Sequence, residues 1–140
     1  AQYHVGMLYH KGRGVPQDDV QARKWYAKAA AQGQAKAQFS LGTLYFNGEG
    51  GPKDYQQALR WFRLAADQKM ALAQTKLAIM YDDGEGVPKD KVQAYMWISL
   101  AATNGDKSGP ILRDILAKGM TEAQITKAKK LADEWKPKGQ

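Results

Sequence analysis

The side chains able to do chemistry are few, and their spacing argues against most reactions. Three serines occur, Ser40, Ser99 and Ser108. None opens a Ser-x-x-Lys or sits in a Gly-x-Ser-x-Gly turn, the settings that activate a hydroxyl as a nucleophile. The histidines are His4 and His10 only. Six residues of helix turn through about 600°, which puts the two rings on opposite faces, so no joint metal site is expected from them. There is no cysteine, which excludes disulfides and thiolate metal sites. Gly12-Arg13-Gly14 begins like a dinucleotide-binding turn, but no strand pattern precedes it and the third glycine is missing. Asp82-Asp83-Gly84-Glu85-Gly86 offers oxygen ligands to a cation but lacks the bidentate glutamate that closes a calcium loop. Solvated acids at a helix end are the plainer reading. No catalytic residue, metal or cofactor is expected.

What must position these residues is a repeat. Gly12-Arg13-Gly14-Val15-Pro16-Gln17-Asp18, Gly48-Glu49-Gly50-Gly51-Pro52-Lys53-Asp54 and Gly84-Glu85-Gly86-Val87-Pro88-Lys89-Asp90 are copies of one loop, each 36 residues from the next. At the same offset Tyr9, Tyr45 and Tyr81 align, as do Ala22, Ala58 and Ala94, and Trp25, Trp61 and Trp97. A period of this length signals a stacked helical array. Ala37, Leu41, Leu44 and Tyr45 fall on one face of a first helix, and Ala58, Trp61, Phe62, Ala65 and Ala66 make the stripe of a second. Gly42 and Gly6 sit mid-helix at about 1 kcal/mol against alanine, so close approach of a neighbouring helix is expected there. The Trp residues, recurring beside Ala-Ala, are expected in the core.

In the loop, the first glycine ends a helix in the left-handed region, proline blocks helix, and aspartate supplies the next N-cap. The spacing predicts helices over 1–10, 19–32, 35–46, 55–68, 71–82, 91–104 and 109–118. A last helix is capped by Thr121, carries an apolar stripe of Ile125, Ala128, Leu131, Ala132 and Trp135, and is stopped by Pro137. The expected organisation is a single domain: a partial first repeat over 1–34, repeats over 35–70 and 71–106, and a capping helix pair over 107–140. Ala1 is not Met and maps inside a first-helix pattern, so the chain is expected to begin partway into a longer array.

Net charge is +7, but basic and acidic residues interleave on helix faces, which argues against a nucleic-acid surface. The third repeat is the acidic one, with three basic and five acidic residues. No apolar run approaches the roughly 20 residues of a membrane span.

Ala-x-x-x-Leu-Gly-x-x-Tyr, then Gly-x-Gly-x-Pro-x-Asp, then Ala-x-x-Trp-x-x-x-Ala-Ala resembles the Sel1-like repeat, a relative of the tetratricopeptide repeats. The second copy carries it most fully, through Ala37, Leu41, Gly42, Tyr45, Gly48, Gly50, Pro52, Asp54, Ala58, Trp61, Ala65 and Ala66. The third departs at Ala78, where glycine is expected. The resemblance implies an all-α fold, a right-handed α-solenoid of antiparallel helix pairs whose first helices line a concave groove. It implies an adaptor or scaffold role towards other proteins, a bacterial source, and a leaning towards the periplasm or cell envelope. The absence of cysteine places the chain outside the disulfide-stapled subfamily.

By analogy with tetratricopeptide repeats, groove positions are Tyr3, Met7, His10 and Lys11 in the first copy, Phe39, Thr43, Phe46 and Asn47 in the second, and Thr75, Ile79, Asp82 and Asp83 in the third. Tyr3, Phe39 and Phe46 would anchor a partner peptide or helix. Lys11, Asn47, Asp82 and Asp83 would set its register. The competing reading packs Tyr3 and Phe39 between neighbouring first helices, and periodicity alone does not choose. A cell-envelope glycan-binding or hydrolytic protein is the alternative function, for which Asp82, Asp83 and Glu85 are the best acids available. Apolar surface around Val5 is an expected edge for self-association.

Overall fold

The computed structural model describes residues 2–136 and, among them, eight helices and no strand. These are α1 (Gln2–Lys11), α2 (Asp19–Ala31), α3 (Ala35–Asn47), α4 (Tyr55–Ala66), α5 (Ala71–Asp83), α6 (Lys91–Thr103), α7 (Gly109–Ala117) and α8 (Glu122–Glu134). The expected start at Ala1 and stop at Pro137 lie outside the described residues. Contacts divide the chain into two compact units, Ala1–Ala65 and Ala66–Gln140.

The repeated loop builds each hairpin the same way. Gly48 and Gly84 end α3 and α5 at φ 69° and 73°, and their N–H groups donate to Leu44 and Met80 carbonyls. The chain then returns. The Asp18, Asp54 and Asp90 amides donate to the Tyr9, Tyr45 and Tyr81 carbonyls, each at 2.9 Å. The same three aspartate side chains accept from the Gln21, Gln57 and Gln93 amides at 3.1–3.2 Å. One residue thus closes the loop with its backbone and caps the next helix with its carboxylate, a cap worth about 1 kcal/mol. α8 instead opens on a full capping box between Thr121 and Gln124.

α4 ends two residues earlier than the spacing predicts. Lys69 there takes φ 68°, the left-handed conformation that Gly33 and Gly105 supply at the corresponding positions. A side chain is disfavoured in that region by roughly 1–2 kcal/mol.

In the first unit the core is Ala22, Tyr26, Ala29, Ala30, Ala37, Leu41 and Leu44, with Tyr3, Met7, Tyr9, Tyr45 and Trp61 packed against it. In the second, Ala73, Leu77, Ala78, Met80, Trp97, Ile98 and Ala101 are buried. The tryptophans do not share one fate. Trp97 is fully buried and meets Trp135, the extended residue that caps the end of α8, edge-on at 6.0 Å, whereas Trp25 and Trp61 are half-buried. In the first two copies the inner position is the next residue, Tyr26 and Phe62, and in the third both Trp97 and Ile98 are buried. Two buried amides brace the turn that leads from a second helix into the next first helix. Gln38 Nε2 donates to the Ala30 carbonyl at 3.3 Å, and Gln74 Nε2 to that of Ala66 at 3.1 Å. Each adds a second donor to a carbonyl at a helix end that already accepts from the turn, from the Gly33 amide at Ala30 and the Lys69 amide at Ala66, both at 3.0 Å.

Candidate functional site

In the first unit, the rings named from the sequence turn towards their own hairpins. Tyr3 meets Tyr26 at 5.6 Å between ring centres, Phe39 meets Phe62 at 5.6 Å, and Phe46 meets both Tyr55 at 5.1 Å and Phe62 at 6.4 Å. These separations are those of attractive offset or tilted pairs. All three rings remain half-buried. Burial and the neighbouring Tyr3 push the Tyr26 phenol up to about 12, against a hydrogen bond with Ser40 that lowers it. Thr43 Oγ1 donates to the Phe39 carbonyl of its own helix at 2.9 Å, and Met7 packs on the core. Lys11 and Asn47 are exposed. His10, Phe39 and Thr43 come together with Tyr26, Ser40 and Leu44 around a cleft of about 130 Å³.

In the second unit, Ile79 and Asp82 border a cleft of about 60 Å³ with Ala78, Ile98, Leu112, Ile115 and Leu116. Its lining is almost wholly apolar. Ile79 is 37% exposed and Ile115 57% exposed, so its rim is apolar as well. Asp82 is held by Lys91 Nζ at 3.3 Å, and Asp83 is exposed. Thr75 does not reach this cleft, because its hydroxyl bonds the Asp106 carboxylate. That bond and those from Ser108 hold the Asp106 carboxyl below the usual carboxylate range. A larger recess of about 570 Å³ is ringed by Arg113, Asp114, Lys129 and Asp133, with Tyr95, Ser99 and Thr103. The two small clefts fall well short of the roughly 300–1,000 Å³ of a small-molecule site.

One position pair differs from copy to copy. It lies at the end of each first helix and the start of its second. His10 Nδ1 and Asp19 Oδ1 are 2.9 Å apart, Phe46 stacks on Tyr55, and Asp82 pairs with Lys91. Asp19 and Glu49 were not legible as site residues, yet their carboxylates and the His10 ring bring ligand atoms within 4.8 Å of one another. Asp82, Asp83 and Glu85, the acids considered from the sequence, form no such cluster among the described residues.

Comparison with known proteins turns on the repeats themselves. The family model described as the Sel1 repeat matches residues 1–34, 35–70 and 71–106. The chain belongs to the Sel1 repeat family. Among solved structures, a Sel1 repeat protein from Oxalobacter formigenes is 34% identical, with a TM-score of 0.82 over 95% of this chain and 57% of that one. A protective antigen present in uropathogenic Escherichia coli strains, displaying an SLR fold, is 32% identical, with a TM-score of 0.79 over 95% of this chain and 36% of that one. The chain therefore spans less than two-thirds of the length of either structure. No curated protein matches the sequence. The Sel1 repeat is an all-helical solenoid fold, generally a non-catalytic scaffold for protein–protein interaction. No helix among the described residues is long and apolar enough to cross a membrane.

Proposed function

We propose that this chain is a protein-interaction module that receives a partner peptide or helix on its first helices. The apolar cleft between α5 and α7 is the main anchor point. The observation that carries this reading is the set of exposed isoleucines at that cleft. Ile79 and Ile115 stand at its rim, and Ile111, 64% exposed, lies one turn before Ile115 on α7. Apolar side chains grouped on a surface around a small pocket suit the aliphatic or aromatic anchors of a docked helix. Asp82 and the exposed Asp83 would favour a basic residue beside that anchor.

In the first unit, His10, Phe39 and Thr43 would form a second, more polar contact. Affinity capture from the source bacterium, read by mass spectrometry, tests the proposal. Ile79→Glu with Ile115→Glu should lose the specific partners while retaining helicity by circular dichroism. Capture of the same partners by the folded double variant would sink it.

A further inference from the structure

We propose that His10, Asp19 and Glu49 form a binding site for a zinc-class divalent ion, which clamps the loop after α3 onto the first hairpin. The three residues come from the end of α1, the first turn of α2 and the loop that follows α3. His10 Nδ1 already lies 2.9 Å from Asp19 Oδ1, and all three ligand atoms fall within 4.8 Å of one another. Zinc–ligand bonds of about 2.0–2.2 Å put tetrahedral ligands roughly 3.4 Å apart. Side-chain shifts of about 1 Å therefore complete the set, with water in the fourth position. One imidazole and two carboxylates suit a borderline ion better than calcium or magnesium, which prefer oxygen alone.

Two features make this more than charges meeting by chance. The loop is seated firmly. A Cβ on Gly50 would stand 2.2 Å from the Asp19 carbonyl oxygen, so only glycine lets the loop lie against α2 there. Arg23 holds the same segment, donating from Nη2 to the Glu49 carbonyl at 2.7 Å and the Leu44 carbonyl at 3.2 Å, with its guanidinium over the Tyr45 ring. Asn47 Nδ2 donates to Glu49 Oε1 at 3.1 Å, the kind of outer contact that orients a ligating carboxylate.

The fold itself does not demand these residues. The corresponding pairs are Phe46 with Tyr55 and Asp82 with Lys91, neither of which can supply a ligand pair. Bound through Nδ1, the His10 ring would carry its proton on Nε2.

The test is titration of the tag-free, chelator-treated full chain with zinc chloride by calorimetry. One equivalent should bind. His10→Ala should abolish binding, Glu49→Gln should weaken it by more than about tenfold, and His4→Ala should leave it unchanged. Zinc should raise the melting temperature of the wild type and not that of His10→Ala. Two readouts need no variant. Cobalt(II) should give the visible bands of a low-coordinate site, and nitrogen-15 correlation spectra with zinc should show metal on His10 Nδ1. Absent saturable binding, binding that survives in His10→Ala, an Nδ1 unaffected by zinc, or tighter uptake of calcium than zinc would each overturn the proposal.

Discussion

In the first unit both hairpins lay an aromatic ring across a glycine, whereas the repeat hairpin of the second unit has isoleucine and alanine at those positions. A Cβ on Gly6 would meet Tyr26 ring atoms at 2.7 and 2.9 Å, and one on Gly42 would meet Phe62 ring atoms at 2.8 and 2.9 Å. At the third copy Ala78 and Ile98 are both buried and border the same cleft. Volume removed from the first helix returns on the second. The space between paired helices is filled to a common density, and the sum of the two side chains matters more than either. Alanine recovers about 1 kcal/mol of helix propensity, while the glycine version gains the larger apolar area of a ring.

The largest effect should follow removal of a ring. Phe62→Ala is expected to cost about 3–5 kcal/mol in urea unfolding, since Phe62 is fully buried. Next is the exchange itself. Gly42→Ala should destabilise by about 1–2 kcal/mol net, because the buried ring has no room to retreat. Adding Phe62→Ile should then cost less than the two single changes summed, by at least about 1 kcal/mol. Simple additivity would break the reading of shared volume.

A smaller gain is expected at Lys69, whose φ of 68° contrasts with Gly33 and Gly105. Lys69→Gly should stabilise by about 0.5–1 kcal/mol, the relief of left-handed strain less the entropy of glycine in the unfolded chain. Least visible near neutrality is the hydroxyl that distinguishes Tyr26 from Phe62. With its pKa raised from 10.0 to about 12 by burial, the folded state holds this proton more tightly than the unfolded chain. That contribution is complete below pH 10 and is lost as pH rises through 12. Tyr26→Phe should remove this alkaline loss, and phenolate absorbance should place the midpoint.

The repeat was legible because its signals are local. Gly48, Pro52 and Asp54 each act within a few residues of themselves, so the eight helices follow from the sequence to within about two residues. Gly42 announced a close approach, though not the ring that makes it. The core role read for the tryptophans holds fully at Trp97, where Trp135 covers it, and only in part at Trp25 and Trp61. Tyr3, Phe39 and Phe46 could not be oriented from periodicity, since a half-buried ring satisfies both a groove and a hairpin. The cluster of His10, Asp19 and Glu49 matches no ligand spacing. It depends on a loop being able to lie against a helix, and Gly50 decides that through an atom it lacks.

The bond from the Asp amide back to the Tyr carbonyl bears on how such a chain can change length. Tyr9 with Asp18, Tyr45 with Asp54 and Tyr81 with Asp90 each close within one hairpin. A 36-codon stretch of gene therefore encodes an element that carries its own fastening. In-frame duplication or deletion of that stretch leaves every remaining fastening intact, which makes unequal recombination a tolerated route to longer or shorter descendants. The residues free to diverge afterwards are those just outside the fastening, where one copy has histidine, one phenylalanine and one aspartate.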